Sequence, residues 1–297
     1  TWELRRTRDD VIIFNQFEEM GNVLWHYQVT GHAIAEAYES IKTPTSRFAG
    51  ACFTSGSAGT MSAGDYLKEQ YPYSKLAVGE ALQCPTLLEN GFGGHRIEGI
   101  GDKHVPWVHN VRNTDMVIDI DDEDSQNLLR LFNSEEGHKY LKEVVHVPDA
   151  TIEQLSLLGI SGIANVLCCI KFAKYYELTG DDVVATVATD SAVMYESRVK
   201  ELNEQQGNYS LLTAARDFSE HLHGIRTDNM AELTYADRKR VHNLKYYTWV
   251  EQQGKTVEEL NAQWYDHDYW KAIHEQAKDL DKLINEFNAR TGVAEKI

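Results

Sequence analysis

Uninterrupted apolar runs set the pattern of the first two-thirds of the chain. They are "VIIFNQF" (Val11–Phe17), "RFAGACFTS" (Arg47–Ser55), "KLAVGEAL" (Lys75–Leu82), "MVIDID" (Met116–Asp121) and "VVATVATD" (Val183–Asp190). An alternating strand has one wet face, whereas an unbroken apolar run suits a parallel strand covered on both faces. Between the runs, apolar residues recur at helical spacing around His32–Ile41, Ala58–Gln70, Asp124–Phe132 and Ile163–Tyr176. Strand and helix in alternation predict an α/β fold: a doubly wound, mostly parallel sheet in three layers (α/β/α) over residues 1–199.

After Val199 the texture changes. Residues 200–297 are charged, strand-poor and helix-periodic, and are read as an α-helical extension. In "VEQQGKTVEELNAQW", Gly254 stops one helix, and Thr256 with Glu259 forms a capping box for the next. The pattern does not choose between a cap, a dimer arm and a regulatory lid.

Composition narrows the class. A chain of 297 residues makes one large domain or two ordinary ones. Its net charge of −17, from 29 basic and 46 acidic residues, repels phosphate backbones, so no nucleic-acid partner is expected. No signal peptide is visible, and the longest apolar stretch, Leu157–Ala173, is short for a bilayer and carries Asn165 and Lys171. The expectation is a soluble, cytoplasmic protein without a membrane partner. Four cysteines form no C-x-x-C pair, and Cys168 and Cys169 lie on an apolar helix, which predicts buried thiols. Twelve histidines invite a metal reading. Neither the cluster Asp266, His267, Asp268 and His274 nor "HLHG" (His221–Gly224) has ligand spacing, so no metal site is expected.

The stretch "GSAGT" (Gly56–Thr60) sits between a predicted strand and a predicted helix. Small residues there let backbone N–H groups meet an anion, and the helix N-terminus adds partial positive charge. Ser57 and Thr60 add hydroxyls, and a phosphate is the natural guest. A tight packed turn without a ligand has the same composition, and the stretch fits neither G-x-G-x-x-G nor the P-loop pattern.

Seven segments, in order over some two-thirds of the chain, resemble the second half of the cysteine synthase and tryptophan synthase β family. These are type II fold enzymes dependent on pyridoxal 5'-phosphate (PLP). "FNQFEEMGN" (Phe14–Asn22) is similar to N-Q-F-E-x-x-x-N, "VTGHAI" (Val29–Ile34) to the T-G and helix that follow, and "GSAGT" to the phosphate loop G-T-G-G-T. "HRIEGIGDKHVPW" (His95–Trp107) resembles H-K-I-Q-G-I-G, "IDIDDEDSQNLLRLFNSEEG" (Ile118–Gly137) an acidic strand–helix pair, "LGISGIANV" (Leu158–Val166) G-I-S-S-G-A-N, and "ATDSAVMY" (Ala188–Tyr195) the P-D-S segment under the pyridine ring.

The resemblance implies PLP as cofactor, with Gly56, Ser57, Ala58, Gly59 and Thr60 as its phosphate cradle. Ala58 stands where the family has Gly, which restricts φ there. Ser191 matches the serine facing the pyridine nitrogen, a partner suited to β-elimination and β-replacement rather than transamination; it also suits a helix N-cap. Gln16 matches a residue near the substrate carboxylate, and also reads as a polar strand end. Gly99 and Gly101 match glycines lining the cofactor pocket, and alone read as turn residues.

The family's Schiff-base lysine lies in its first half, and no lysine here has a matching context; Lys42, Lys75 and Lys103 read as solvated. The resemblance therefore implies no catalytic residue within this chain. It implies a lysine-bearing N-terminal half or complementing chain, a homodimer, and a small amino acid as substrate. The alternatives are a β-subunit-like partner in a two-component thiolase acting on 2-amino-4-oxopentanoate, and a non-catalytic binding or regulatory paralogue.

Overall fold

The computed structural model describes residues 2–293. Five strands form one sheet: β1 (Arg47–Thr54), β2 (Lys75–Ala81), β3 (Met116–Ile120), β4 (Asp182–Ala185) and β5 (Met230–Glu232), in the order β4-β1-β2-β3-β5. The first four run parallel, and β5 lies antiparallel on β3. Register places Cys52 beside Ala77 and Val78 beside Val117.

Successive residues point to opposite faces of a strand. Cys52, Ala77 and Ile118 accordingly pack with Leu128, Ile163 and Phe172 in one core. Phe53, Val78 and Val117 pack with Tyr38, Met61 and Leu67 in a second core on the other face. Helices cover both faces, as the unbroken apolar runs required, and the three-layer arrangement is as expected. The chain walks outward from β1 through β2 to β3, then returns to β4 on the other side of β1. The gap between β1 and β4 is thus a topological switch point, where open α/β sheets bind ligands at their carboxyl edge.

Three local expectations are corrected. Val11–Phe17 forms no strand; Ile12 is 81% and Phe14 90% exposed. Its apolar pattern suits a strand, but among the described residues no strand pairs with it. The run at Val183–Asp190 is a strand only to Ala185, because the next residues turn to side-chain partners: Thr186 Oγ1 donates to Cys52 O at 2.6 Å and Asn165 Nδ2 to Val187 O at 2.8 Å. The helix expected from Ala58 begins at Met61, and Ala58 itself takes φ +62°.

The tail is helical, yet it contributes β5. It also adds Ala214 and Ile225 to the first core and Leu233 and Val241 to the second. The expected boundary at residue 199 falls inside the helix Glu196–Gln206. The capping box forms, with Thr256 N donating to Glu259 Oε2 at 2.7 Å and Glu259 N to Thr256 Oγ1 at 3.1 Å. Lys245 fastens the tail from inside. Fully buried, it donates to Trp107 O at 3.0 Å, His109 O at 2.7 Å and Gln263 Oε1 at 2.7 Å. Among the described residues no helix is long and apolar enough to cross a membrane. Cys52, Cys84 and Cys168 are buried free thiols, and Cys169 is half-buried.

Candidate functional site

β1 delivers the chain to the switch point at Thr54. Ser55 is fixed there, its N–H donating to Gly79 O and its carbonyl accepting from Gly101 N, both at 2.8 Å. The loop Gly56–Thr60 then leads into the helix Met61–Gln70. Among the described residues, none of the five N–H groups from Gly56 to Thr60 donates to a protein acceptor. Buried backbone donors are nearly always paired, so a run of uncommitted ones at a helix start is a ready anion site.

Side chains explain why the loop is small. A β-carbon on Gly56 would meet Gly99 O at 2.8 Å, and one on Gly59 would meet Asn22 Oδ1 at 2.1 Å. Asn22 Nδ2 in turn donates to Gln16 O at 2.9 Å and Ser57 Oγ at 3.2 Å, which braces the segment before it against the loop. Ala58 holds a left-handed φ that glycine adopts freely and alanine at a cost of about 1 kcal/mol.

The loop lines a cavity of about 260 Å³, near the small end of ligand-sized pockets. Its other walls are Gly99 and Ile100, His26 and Thr30, Ser161 and Asn165, and Val187 and Thr189. Asn165 ties two walls together. Its Oδ1 accepts from Thr54 N at 2.8 Å, and its Nδ2 donates to Val187 O at the same distance. His26 and Thr30 come from a π-helical segment, His26–Gly31, in which His26 Nδ1 lies 2.9 Å from Thr30 Oγ1. π-Helical turns recur at functional sites. Burial lowers the pKa of His26, favouring the neutral ring.

The cavity thus gathers Gly56, Ser57, Ala58, Gly59, Thr60 and Gly99. Gly101 stands behind it with φ +78°, where a β-carbon would strike His95 Nε2 at 2.5 Å. Ser191 is half-buried and lies just beyond Thr189 of the lining. It precedes the short turn Ala192–Tyr195 without making a capping bond. The Gln16 side chain is exposed. Among the described residues no lysine lines the cavity: Lys42 pairs with Glu39, Lys75 lies 3.3 Å from Glu232, and Lys103 is exposed. His26, Thr30, Ser161 and Asn165 were given no role from sequence. The signals available were the segment "LGISGIANV", which contains Ser161 and Asn165, and the polar Asn165 within a largely apolar helix.

The fold has counterparts among known proteins. No protein-family model matches the chain. A probable cysteine synthase of Bacillus subtilis is 30% identical over 183 residues, covering 61% of this chain and 51% of that protein. Cysteine synthase 3 of Caenorhabditis elegans is 28% identical over 174 residues, covering 58% of this chain and 44% of that protein. Among solved structures, a hydrogen sulfide-producing enzyme of Fusobacterium nucleatum superposes with a TM-score of 0.54 at 22% identity, over 72% of this chain and 57% of that one. A cysteine synthase of Entamoeba histolytica gives 0.54 at 19% identity, over 74% and 57%. The chain is related to cysteine synthases and has the type II fold expected from its sequence. It spans about half the length of the curated relatives it matches.

Proposed function

We propose that the switch-point cavity holds pyridoxal 5'-phosphate by its phosphate. On this reading the chain is the cofactor-cradling portion of an enzyme that carries out β-replacement or β-elimination on a small amino acid. The observation that carries the reading is the loop Gly56–Thr60, with five uncommitted backbone donors between a parallel strand and a helix start. The donor set fits a phosphate dianion: backbone N–H groups, the hydroxyls of Ser57 and Thr60, and, among the described residues, no carboxylate in the lining. Gly56 and Gly59 keep β-carbons out of the cradle.

When bound, PLP supplies an electron sink for negative charge developing on a substrate carbon. The chain's own residues position it. Asn165 fixes the spacing between the end of β1 and the segment after β4, so the two walls move together. Ser191, on that second segment, is the candidate partner for the ring nitrogen, where a neutral hydroxyl hydrogen-bonds without imposing a proton. Neutral His26 contributes a wall without adding charge.

The covalent lysine comes from a lysine-bearing half or complementing chain, a reading supported by the lining, which among the described residues holds no lysine. Gln16, exposed beside Asn22, borders the face that receives it, and the exposed Ile12 and Phe14 supply apolar surface for the contact. By itself the chain binds PLP weakly and does not complete catalysis; the complete enzyme assembles as a homodimer. The test is equilibrium titration of the chain with PLP, competed by inorganic phosphate. Competition that disappears when the cradle is altered supports the reading, and uptake indifferent to phosphate contradicts it.

A further inference from the structure

We propose that a second cavity, between the helix Met61–Gln70 and the tail, binds a small free amino acid. The cavity has a volume of about 450 Å³ and adjoins a hollow of about 370 Å³, with which it shares Glu69, Lys271 and His274. It shares no lining residue with the switch-point cavity, and the proposal does not rest on the cofactor reading.

Two of its groups lack the partners their charge calls for. Arg112 is half-buried, yet among the described residues its guanidinium forms no ion pair and only touches His267 Nδ1 at 3.5 Å. An uncommitted arginine is out of keeping with a chain in which 46 acidic residues face 29 basic ones. Asp65 is the converse. It is 4% exposed and accepts only from neutral amides, Asn113 Nδ2 at 2.5 Å and Asn110 Nδ2 at 3.1 Å. His274 Nε2 stops 3.8 Å away, without a hydrogen-bond partner, and Lys68 is spent on Asp115 at 2.7 Å. A carboxylate accepts about four hydrogen bonds, so Asp65 has capacity left for a cation. Burial pushes its pKa up to about 7, the mark of a charge that its surroundings do not balance.

A carboxylate short of a cation and a guanidinium short of an anion line one cavity. A free amino acid carries both missing charges on adjacent groups. Its ammonium goes to Asp65 and its carboxylate to Arg112, whose planar fork suits a carboxylate. Lys271, 71% exposed on its side chain, adds positive charge at the mouth. Trp270 and Pro72 supply an apolar wall for a small side chain.

Calorimetric titration of the cofactor-free chain tests this with L-alanine as probe. N-acetyl-L-alanine, which lacks the ammonium, and L-alaninamide, which lacks the carboxylate, dissect the two contacts. The expected result is binding of alanine that weakens about tenfold or more for each truncated probe, and by a similar factor in Arg112→Gln and Asp65→Asn. Asp65 is buried and its variant risks misfolding; Arg112→Gln, at a half-buried site, keeps the test decisive. No heat of alanine binding, equal binding of all three probes, or an alanine affinity unchanged by Arg112→Gln overturns the proposal.

Discussion

Asn22 Oδ1 occupies the space beside Gly59, 2.1 Å from where a β-carbon on that glycine would lie. The same amide reaches Ser57 Oγ at 3.2 Å and Gln16 O at 2.9 Å. Gly59→Ala therefore displaces Asn22 and loosens the loop. PLP affinity in a fluorescence titration should fall about tenfold or more, by at least the worth of one charge-assisted hydrogen bond. Gly94→Ala, at a glycine with nothing within 4 Å of its added β-carbon, is the control and should change nothing. Equal affinity in the two variants would detach the loop from phosphate binding.

Ala58 offers a test of backbone strain. At φ +62° its β-carbon costs about 1 kcal/mol, which glycine would relieve. Glycine also gains freedom in the unfolded chain, which offsets about 0.4–1 kcal/mol, and gives up a buried methyl worth about 0.8 kcal/mol, since Ala58 is 3% exposed. Ala58→Gly should thus lower stability by less than about 1 kcal/mol in urea denaturation, where Ala164→Gly, equally buried inside the helix Ile160–Tyr175, adds a helix-propensity cost of about 1 kcal/mol to the same lost methyl. Equal losses in the two variants would mean that the left-handed conformation at residue 58 is wrong.

Much of the fold was legible because burial on both faces writes itself as an unbroken apolar run. β1, β2 and β3 fall within a residue of the predicted spans. The same signal misled at Val11–Phe17, since a run of side chains cannot say whether a neighbouring strand is there to pair with. β5 was invisible for the opposite reason: three residues are too few for any period. Of the site, the small-residue loop was legible, because a strand–glycine–helix junction is a local signal. Asn165 was not, because its meaning lies in Thr54, 111 residues away, and in Val187 on a third segment.

Glu80 and Asp119 are register partners on β2 and β3, and both are buried. Burial pushes the Glu80 pKa up to about 7, a rise moderated by the N–H groups of Leu87 at 3.0 Å and Leu88 at 2.9 Å, which donate to its carboxylate. Asp119 receives no such donor on either carboxylate oxygen. Burial first, and the Glu80 charge second, raise its pKa well above the carboxylate range. A raised acid binds more protons folded than unfolded, so its contribution to stability falls as pH rises through that window. Buried histidines such as His109 and His242, whose pKa values burial lowers to about 3, act in the opposite direction at acid pH. A difference measurement separates the two. Asp119→Asn mimics the protonated form, so it should match the parent chain only below about pH 4, where the unfolded aspartate is protonated too, and exceed it increasingly towards pH 9 in urea denaturation. A gap between the two chains that does not widen with pH would show that Asp119 is not the group holding the proton.

The central claim is that this chain cradles the phosphate of PLP while the covalent lysine lies elsewhere. It is tested most directly by saturating the chain with PLP, reducing with borohydride and mapping the peptides. The account predicts phosphate-competable uptake that depends on Gly59, with no single lysine carrying a stoichiometric pyridoxyl group, since none among the described residues lines the cavity. A stoichiometric adduct on one lysine of this chain, or the absence of any uptake that phosphate competes away, would contradict it.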